Sequence, residues 1–181
     1  MSDYEILKKS QKIYADDGGE LLRYSLLYPE LVAEESETEK IEKIEKINEF
    51  YRAIAERCER FCTDELSSYC ETKRREERAY RPYSYRLACT VGYEDGECVS
   101  ILISASLKRL GETGSVGEYS SAHLFSRSDG LLLPPELILK KYAPEIKNPK
   151  KYIRKNKLTS LCITEKGVSA RQQGEWKALT L

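Results

Sequence analysis

Apolar residues recur at helical spacing between Ser36 and Ala79: Ile41, Ile44, Ile47, Tyr51, Ile54, Cys58, Phe61, Leu66, Tyr69 and Cys70. No other feature limits the possible folds of this chain so strongly, because so long an amphipathic helix must lie across a complementary apolar surface. Ser36 and Glu39 have the spacing of a capping box, in which Ser36 accepts from the Glu39 backbone N–H and the Glu39 side chain reaches back to the cap. Pro82 is the expected stop. An unbroken rod of roughly forty residues would be about 60 Å long, whereas a compact chain of this size has a radius of gyration of about 16 Å. A break is therefore expected at Thr63-Asp64-Glu65, with Thr63 or Asp64 capping a second segment from Glu65 to Arg78.

The chain of 181 residues suits a single domain over 1–181. Lys plus Arg and Asp plus Glu each number 30, so no long-range field gathers nucleic acid or an anionic membrane, and such binding would need a local patch. No apolar run approaches the roughly 20 residues of a membrane span, and Met1-Ser2-Asp3-Tyr4 does not open a signal peptide. A cytoplasmic protein is the expectation. Cys58, Cys62, Cys70, Cys89, Cys98 and Cys162 contain no C-x-x-C pair and read as reduced thiols packed as small hydrophobes. Cys58 and Cys62 lie one helical turn apart, with Cys70 as a third candidate metal ligand, but a second ligand pair is missing. No metal site and no cofactor is expected.

Two strands, Tyr4 to Tyr14 and Glu20 to Tyr28, flank the turn Asp16-Asp17-Gly18-Gly19, and Pro29 is expected to end the second. After the helix, Tyr85, Leu87, Cys89, Val91 and Tyr93 alternate onto one face of a strand, as do Val99, Ile101, Ile103, Ala105 and Leu107 on the next. Both sets are odd-numbered, so a two-residue Asp95-Gly96 turn is excluded, because it would pair odd with even positions. A three-residue loop with Gly96 left-handed would pair Val91 with Val99, Cys89 with Ile101 and Leu87 with Ile103.

Leu110 to Gly117 reads as a loop, since its three glycines lack the Lys-Ser/Thr ending of a phosphate cradle. A strand from Glu118 to Ser126, a turn at Ser128-Asp129-Gly130, a short strand Leu131 to Leu133 and a short helix opened by Pro134-Pro135 follow. Lys140 to Lys157 is read as an irregular or briefly helical connection. Leu158 to Ile163 and Val168 to Gln172 form a hairpin, and Trp176 to Leu181 is the last strand.

Several of these pieces, in this order, resemble one bacterial family. They are the strand ending in Tyr28-Pro29, the helix carrying Ile47-Asn48-Glu49-Phe50, the apolar hairpin, Tyr119-Ser120-Ser121-Ala122-His123, Ser128-Asp129-Gly130-Leu131-Leu132-Leu133, and Cys162-Ile163-Thr164-Glu165-Lys166-Gly167 before Gly174. The family is that of RsiV-like domains, which form the extracellular part of lysozyme-sensing anti-sigma factors, precede some polysaccharide deacetylase domains, or stand alone. The family has a Gly-Gly-Ala-His turn after a tyrosine; Ser120 and Ser121 replace the glycines here, so only Ala122 and His123 carry over. The resemblance implies an antiparallel sheet with helices against one face, and it implies no reaction.

The expected fold is therefore α+β: an antiparallel sheet of five to seven strands covered on one face by the broken helix of residues 36–79. His123 is the only histidine, and its neighbouring serines are merely adjacent in sequence, so a structural role is preferred to a catalytic one. Lys73-Arg74-Arg75, Arg78, Tyr80, Arg81, Tyr83, Tyr85 and Arg86 interleave cations with rings, which suits single-stranded nucleic acid as well as a solvated helix end. Thirteen tyrosines against three phenylalanines point to half-buried rings and a sheet with one wet face. The expected function is non-enzymatic recognition of a protein or glycan-related ligand through the open sheet face or the loops around Gly111 to Tyr119. Tyr119, Ser120, Ser121 and His123 are the candidate surface residues. Nucleic-acid binding through residues 73–86 is the alternative.

Overall fold

The hairpin expected around Asp16 to Gly19 is present, joining β1 (Tyr4–Tyr14) to β2 (Glu20–Leu31). Gly18 takes left-handed backbone, φ 82°, and Asp17 Oδ1 accepts the Gly19 N–H at 3.0 Å. This is a computed structural model that describes residues 4–32 and 38–179. Pro29 does not end the second strand, which continues to Leu31 with Pro29 opposite Ile6. On its other side the ladder stops at Leu27, so no partner there asks for the N–H that proline lacks.

The long helix is α1 (Thr38–Arg60), a single π-helical stretch (Phe61–Leu66) and α2 (Ser67–Glu76). Its expected Ser36 cap lies outside the described residues. The irregularity falls where expected, but no second N-cap is built there. Arg60 and Ser67, which flank the π stretch, both keep right-handed helical backbone, and Thr63 Oγ1 donates back to the Arg60 carbonyl at 3.1 Å. Buried positions four apart, Ile47, Tyr51 and Ala55, drift by about 40° per step around an α-helix, and the wider π turn brings the stripe back for Cys62, Leu66 and Cys70. Each large apolar side chain of that stripe adds roughly 1.5–3 kcal/mol by leaving water. Ile41, Phe61 and Tyr69 were counted in the apolar face, yet they remain 38–43 % exposed. The helix stops at Glu76, ahead of both Arg78 and Pro82, because Glu77 is extended.

From there the chain crosses to β3 (Tyr83–Glu94), β4 (Cys98–Arg109) and β5 (Ser115–Ser126), giving a sheet in the order β1-β2-β3-β4-β5. It is antiparallel except at one junction. The helical crossover makes β2 and β3 parallel, which a pure meander does not contain. The β3–β4 register also differs from expectation: Val91 pairs with Ile101, Cys89 with Ile103 and Leu87 with Ala105. Asp95 and Cys98 close a two-residue loop, Gly96-Glu97, whose odd-to-even pairing is corrected by a bulge at Gly92. Gly96 is not left-handed. Odd positions thus face odd positions along the strand bodies, and the two-residue loop is accommodated because the bulge shifts parity back. β5 starts at Ser115, inside the stretch read as loop, and the expected strand at Leu131 to Leu133 is one bridge from Leu132 to Phe125.

After α3 (Pro135–Tyr142) and α4 (Pro149–Asn156), capped by Asn148, the tail forms β6 (Leu158–Thr164), β7 (Gly167–Gln172) and β8 (Glu175–Ala178). These make a separate three-stranded sheet and not further strands of the first. The layers follow from side-chain alternation. Leu22, Tyr24 and Leu26 of β2 and the odd positions Leu87, Cys89, Val99, Ile101, Ile103 and Phe125 of β3 to β5 pack with α1 and α2. On the opposite face, Cys98 and Leu124 pack with Ile138, Leu139, Leu161, Ile163, Val168 and Ala170. That face, expected to be open, is therefore covered at one end.

Asn48, 4 % exposed on α1, receives the Leu31 N–H at 2.9 Å and donates to the Leu31 carbonyl at 3.0 Å. Asn48→Leu should destabilise the protein by about 1–3 kcal/mol for each backbone group it orphans, measured by urea unfolding. Gly130 has φ 71° and a Cβ there would run into the Lys43 carbonyl of α1. Gly130→Ala should cost about 1–3 kcal/mol or more in the same assay.

Candidate functional site

β5 carries all four candidate residues, and alternation sets Ser120 on the face opposite that of Tyr119, Ser121 and His123, which themselves spread along the strand. The backbone passes through Ser120 and Ser121 as ordinary strand with no positive φ. His123 lies opposite Ile101 on the α1 side. Its ring meets Phe50 and Phe125 at centroid distances of 5.1 and 6.2 Å, and its Nδ1 is 3.3 Å from the Tyr51 hydroxyl. Burial holds its proton affinity below the usual histidine value. It is a half-buried member of an aromatic cluster.

Ser121 lies at the sheet edge, its hydroxyl 3.3 Å from that of Ser160 on β6. Ser160 does more than touch it. Its Oγ accepts the Ala122 N–H at 2.9 Å and donates to the Ala122 carbonyl at 3.1 Å, acting on the outer edge of β5 as a partner strand would. Ser100 on β4 adds a second tie, its buried hydroxyl accepting the Ile163 N–H at 3.3 Å. The small sheet is thus fastened to the main one by serine hydroxyls as well as by apolar packing.

Tyr119 and Ser120 open onto a different place, a cleft of about 300 Å³ between the outer face of the main sheet and the β7–β8 turn. Arg86, Ser104, Ala105, Ser106, Glu118, Arg171 and Gly174 complete its walls. Ser25, Arg86, Ser106 and Glu118 lie in one row across β2, β3, β4 and β5. Ser120 Oγ accepts from Trp176 Nε1 at 3.2 Å, which places the indole of β8 beside the cleft. The Arg171 guanidinium is 5.9 Å from the centre of the Tyr119 ring, which is 54 % exposed, and Arg171 Nε is buried with no hydrogen-bond partner. Gln173 and Gly174, at φ 52° and 89°, form the two-residue turn that puts Arg171 at the rim.

Arg171, Trp176, Ser104, Ser106 and Glu118 were not candidates from the sequence. Ser104 and Ser106 alternate with the apolar positions of β4, whereas the contribution of the tail depends on how the second sheet docks. In the Arg/Tyr run, Lys73, Arg74 and Arg75 face Glu76, Asp17 and Glu71 at 2.7, 2.6 and 3.7 Å. Tyr83 is buried, Tyr80 donates to the Leu21 carbonyl at 2.6 Å, and the Tyr85 hydroxyl meets Cys58 Sγ at 3.6 Å. Arg109 holds Glu77 through two bonds of 2.7 Å.

All six cysteines are free, and burial pushes the Cys62 and Cys89 thiols up to about 12 and that of Cys98 to about 11. Among the described residues no three His, Cys, Asp or Glu side chains are grouped so as to hold a metal ion. Among them, too, no helix is long and apolar enough to cross a membrane.

No family model matches the chain, and no curated protein does. Solved structures similar to it include a DUF3298 family protein from Pseudomonas aeruginosa PAO1, at 12 % identity and a TM-score of 0.48, over 93 % of this chain and 81 % of that one. A DUF3298 family member from Bacteroides fragilis NCTC 9343 matches at 7 % identity and a TM-score of 0.46, over 87 % and 74 % respectively.

Because burial favours the neutral imidazole, the unfolded chain takes up a proton first as pH falls below the ordinary value of 6.5. The contribution of His123 to stability is whole above that pH and declines down to its folded pKa. The single imidazole resonance should titrate with a midpoint below 6.5 by NMR. Between pH 7 and 5 the wild type should lose more stability than His123→Phe.

Proposed function

We propose that this chain is a non-catalytic recognition domain that binds a protein or a glycan-related ligand in the cleft between β5 and the β7–β8 turn. One observation carries the proposal: Arg86 and Arg171 line the same concavity beside an exposed tyrosine, and neither pairs with a carboxylate among the described residues. Cations left unpaired in a concave site are what a binding surface offers to a partner. The order of motifs from Tyr28-Pro29 to Gly174 supports placing the domain with RsiV-like domains. The setting of His123 supports a role without catalysis, since its Nδ1 lies 3.3 Å from the hydroxyl of the buried Tyr51. Six free thiols, five of them buried, support a reducing, cytoplasmic location.

Nucleic-acid binding by residues 73–86 draws on fewer groups. The rings of Tyr80 and Tyr83 lean on each other in or against the core, centroids 6.2 Å apart, leaving Arg75, which faces Glu71, and Arg78, Arg81 and Arg86 as exposed cations.

Trp176 is the only tryptophan, and it bonds a residue of the cleft, so its emission reports occupancy directly. In a titration against saccharides and candidate protein partners, a ligand of the cleft should change Trp176 fluorescence and raise the melting temperature. Tyr119→Ala should weaken both responses. Turnover of a substrate that disappears in His123→Ala would contradict the proposal.

A further inference from the structure

The cleft also carries information about the class of its ligand, and the step taken here rests on the recognition function proposed above. We infer that the cleft takes an acidic saccharide, with a sugar carboxylate received by Arg86 and Arg171 and a sugar ring placed against Tyr119. Arg86 and Arg171 are the two cations of the lining, and neither is paired with a carboxylate among the described residues. A carboxylate meets the planar fork of a guanidinium through two parallel bonds, which an uncharged hydroxyl does not.

The rest of the lining distinguishes a sugar from other anions. Ser104, Ser106 and Ser120 present hydroxyls, which both donate and accept, as the hydroxyls of a sugar require. Glu118 stands on the same wall and accepts hydroxyl protons; its charge opposes carboxylates and phosphates alike, so the lining suits a ligand that sets its anion beside Arg86 and Arg171 and hydroxyls beside Glu118. The balance of 30 cationic against 30 anionic residues supplies no long-range field to gather a polyanion such as nucleic acid. A space of about 300 Å³ lies at the lower end of ligand-pocket sizes, and suits one or two sugar rings better than a folded protein surface.

The test uses the full chain, with Trp176 emission and calorimetry as readouts and tetragalacturonate as the probe. Neutral galactotetraose, tetraglutamate and oligothymidylate serve as competitors for the assignment. Tetragalacturonate should bind at least about tenfold more tightly than the neutral sugar, the size of effect expected when a charge-assisted hydrogen bond is lost. Arg86→Gln and Arg171→Gln should each weaken it by about tenfold or more. Arg171→Lys, which keeps the charge and removes the fork, should restore binding only in part. Melting temperatures confirm that each variant is folded.

Equal binding of the neutral sugar, or indifference to both arginine variants, overturns the acidic-saccharide assignment while leaving a neutral-glycan cleft in place. Tighter binding of tetraglutamate overturns it in favour of a protein carboxylate, and tighter binding of oligothymidylate overturns it in favour of nucleic acid. If none of the four probes binds, the assignment falls, and the wider fluorescence titration decides separately whether the cleft recognises anything.

Discussion

The fold depends on the clasp between α1 and the centre of the main sheet. Ile47, Tyr51 and Ala55 press on the sheet, while Asn48 occupies both hydrogen-bonding groups of Leu31 at the end of β2. Packing alone gives affinity between helix and sheet, but it tolerates sliding. The Asn48 side chain removes that freedom, because a shift of one residue would leave a buried amide and two backbone groups without partners. The π stretch then keeps the stripe facing inward as far as Cys70, so the helical layer covers its sheet along most of its length.

Once α1 has taken one face, period-two alternation decides the character of the other. In β4 and β5 the positions opposite the helix include the polar Ser100, Ser104, Ser106, Glu118 and Ser120, the apolar pair Leu102 and Ala122, and the apolar Cys98 and Leu124 near one end. The small sheet docks at that apolar end, and Ser160 and Ser100 bind its backbone to β5 and its neighbour. The polar remainder faces the β7–β8 turn across a gap. The cleft is thus the boundary between the part of the outer face that is covered and the part that is not.

Much of the architecture was legible in local pattern. The stripe from Ile44 to Cys70 and the alternation in β3 and β4 located the helix, the hairpin and the inner face. The π stretch was visible only as a place of weakness, because its residues carry no signature that separates a wider turn from a new cap. The parallel β2–β3 junction follows from tertiary packing of the crossover and leaves no mark on either strand. The hairpin register went astray at Gly92, where a bulge fits because glycine lets the Leu102 side chain approach: a Cβ there would sit 3.0 Å from a Leu102 methyl. For the site, Tyr119 and Ser120 were in hand, yet alternation turns only Ser120 away from His123, and Tyr119, which shares the parity of His123, belongs to the cleft through Arg171. Arg171 and Trp176 belong to a second sheet whose docking no short-range pattern records.

The central claim is that the polar rows turned away from α1, with the exposed Tyr119 of the outer strand, form the recognition site, while the Phe50–His123 cluster is interior. It is tested most directly by mapping backbone and indole chemical shifts by NMR during a tetragalacturonate titration. The account predicts that the moving signals cluster at Arg86, Ser104, Ser106, Tyr119, Ser120, Arg171 and the Trp176 Nε1–H, with Phe50, Tyr51 and His123 unmoved. Shifts centred on the Phe50–His123 cluster, or on the exposed Leu131, Leu132 and Leu137, would contradict it.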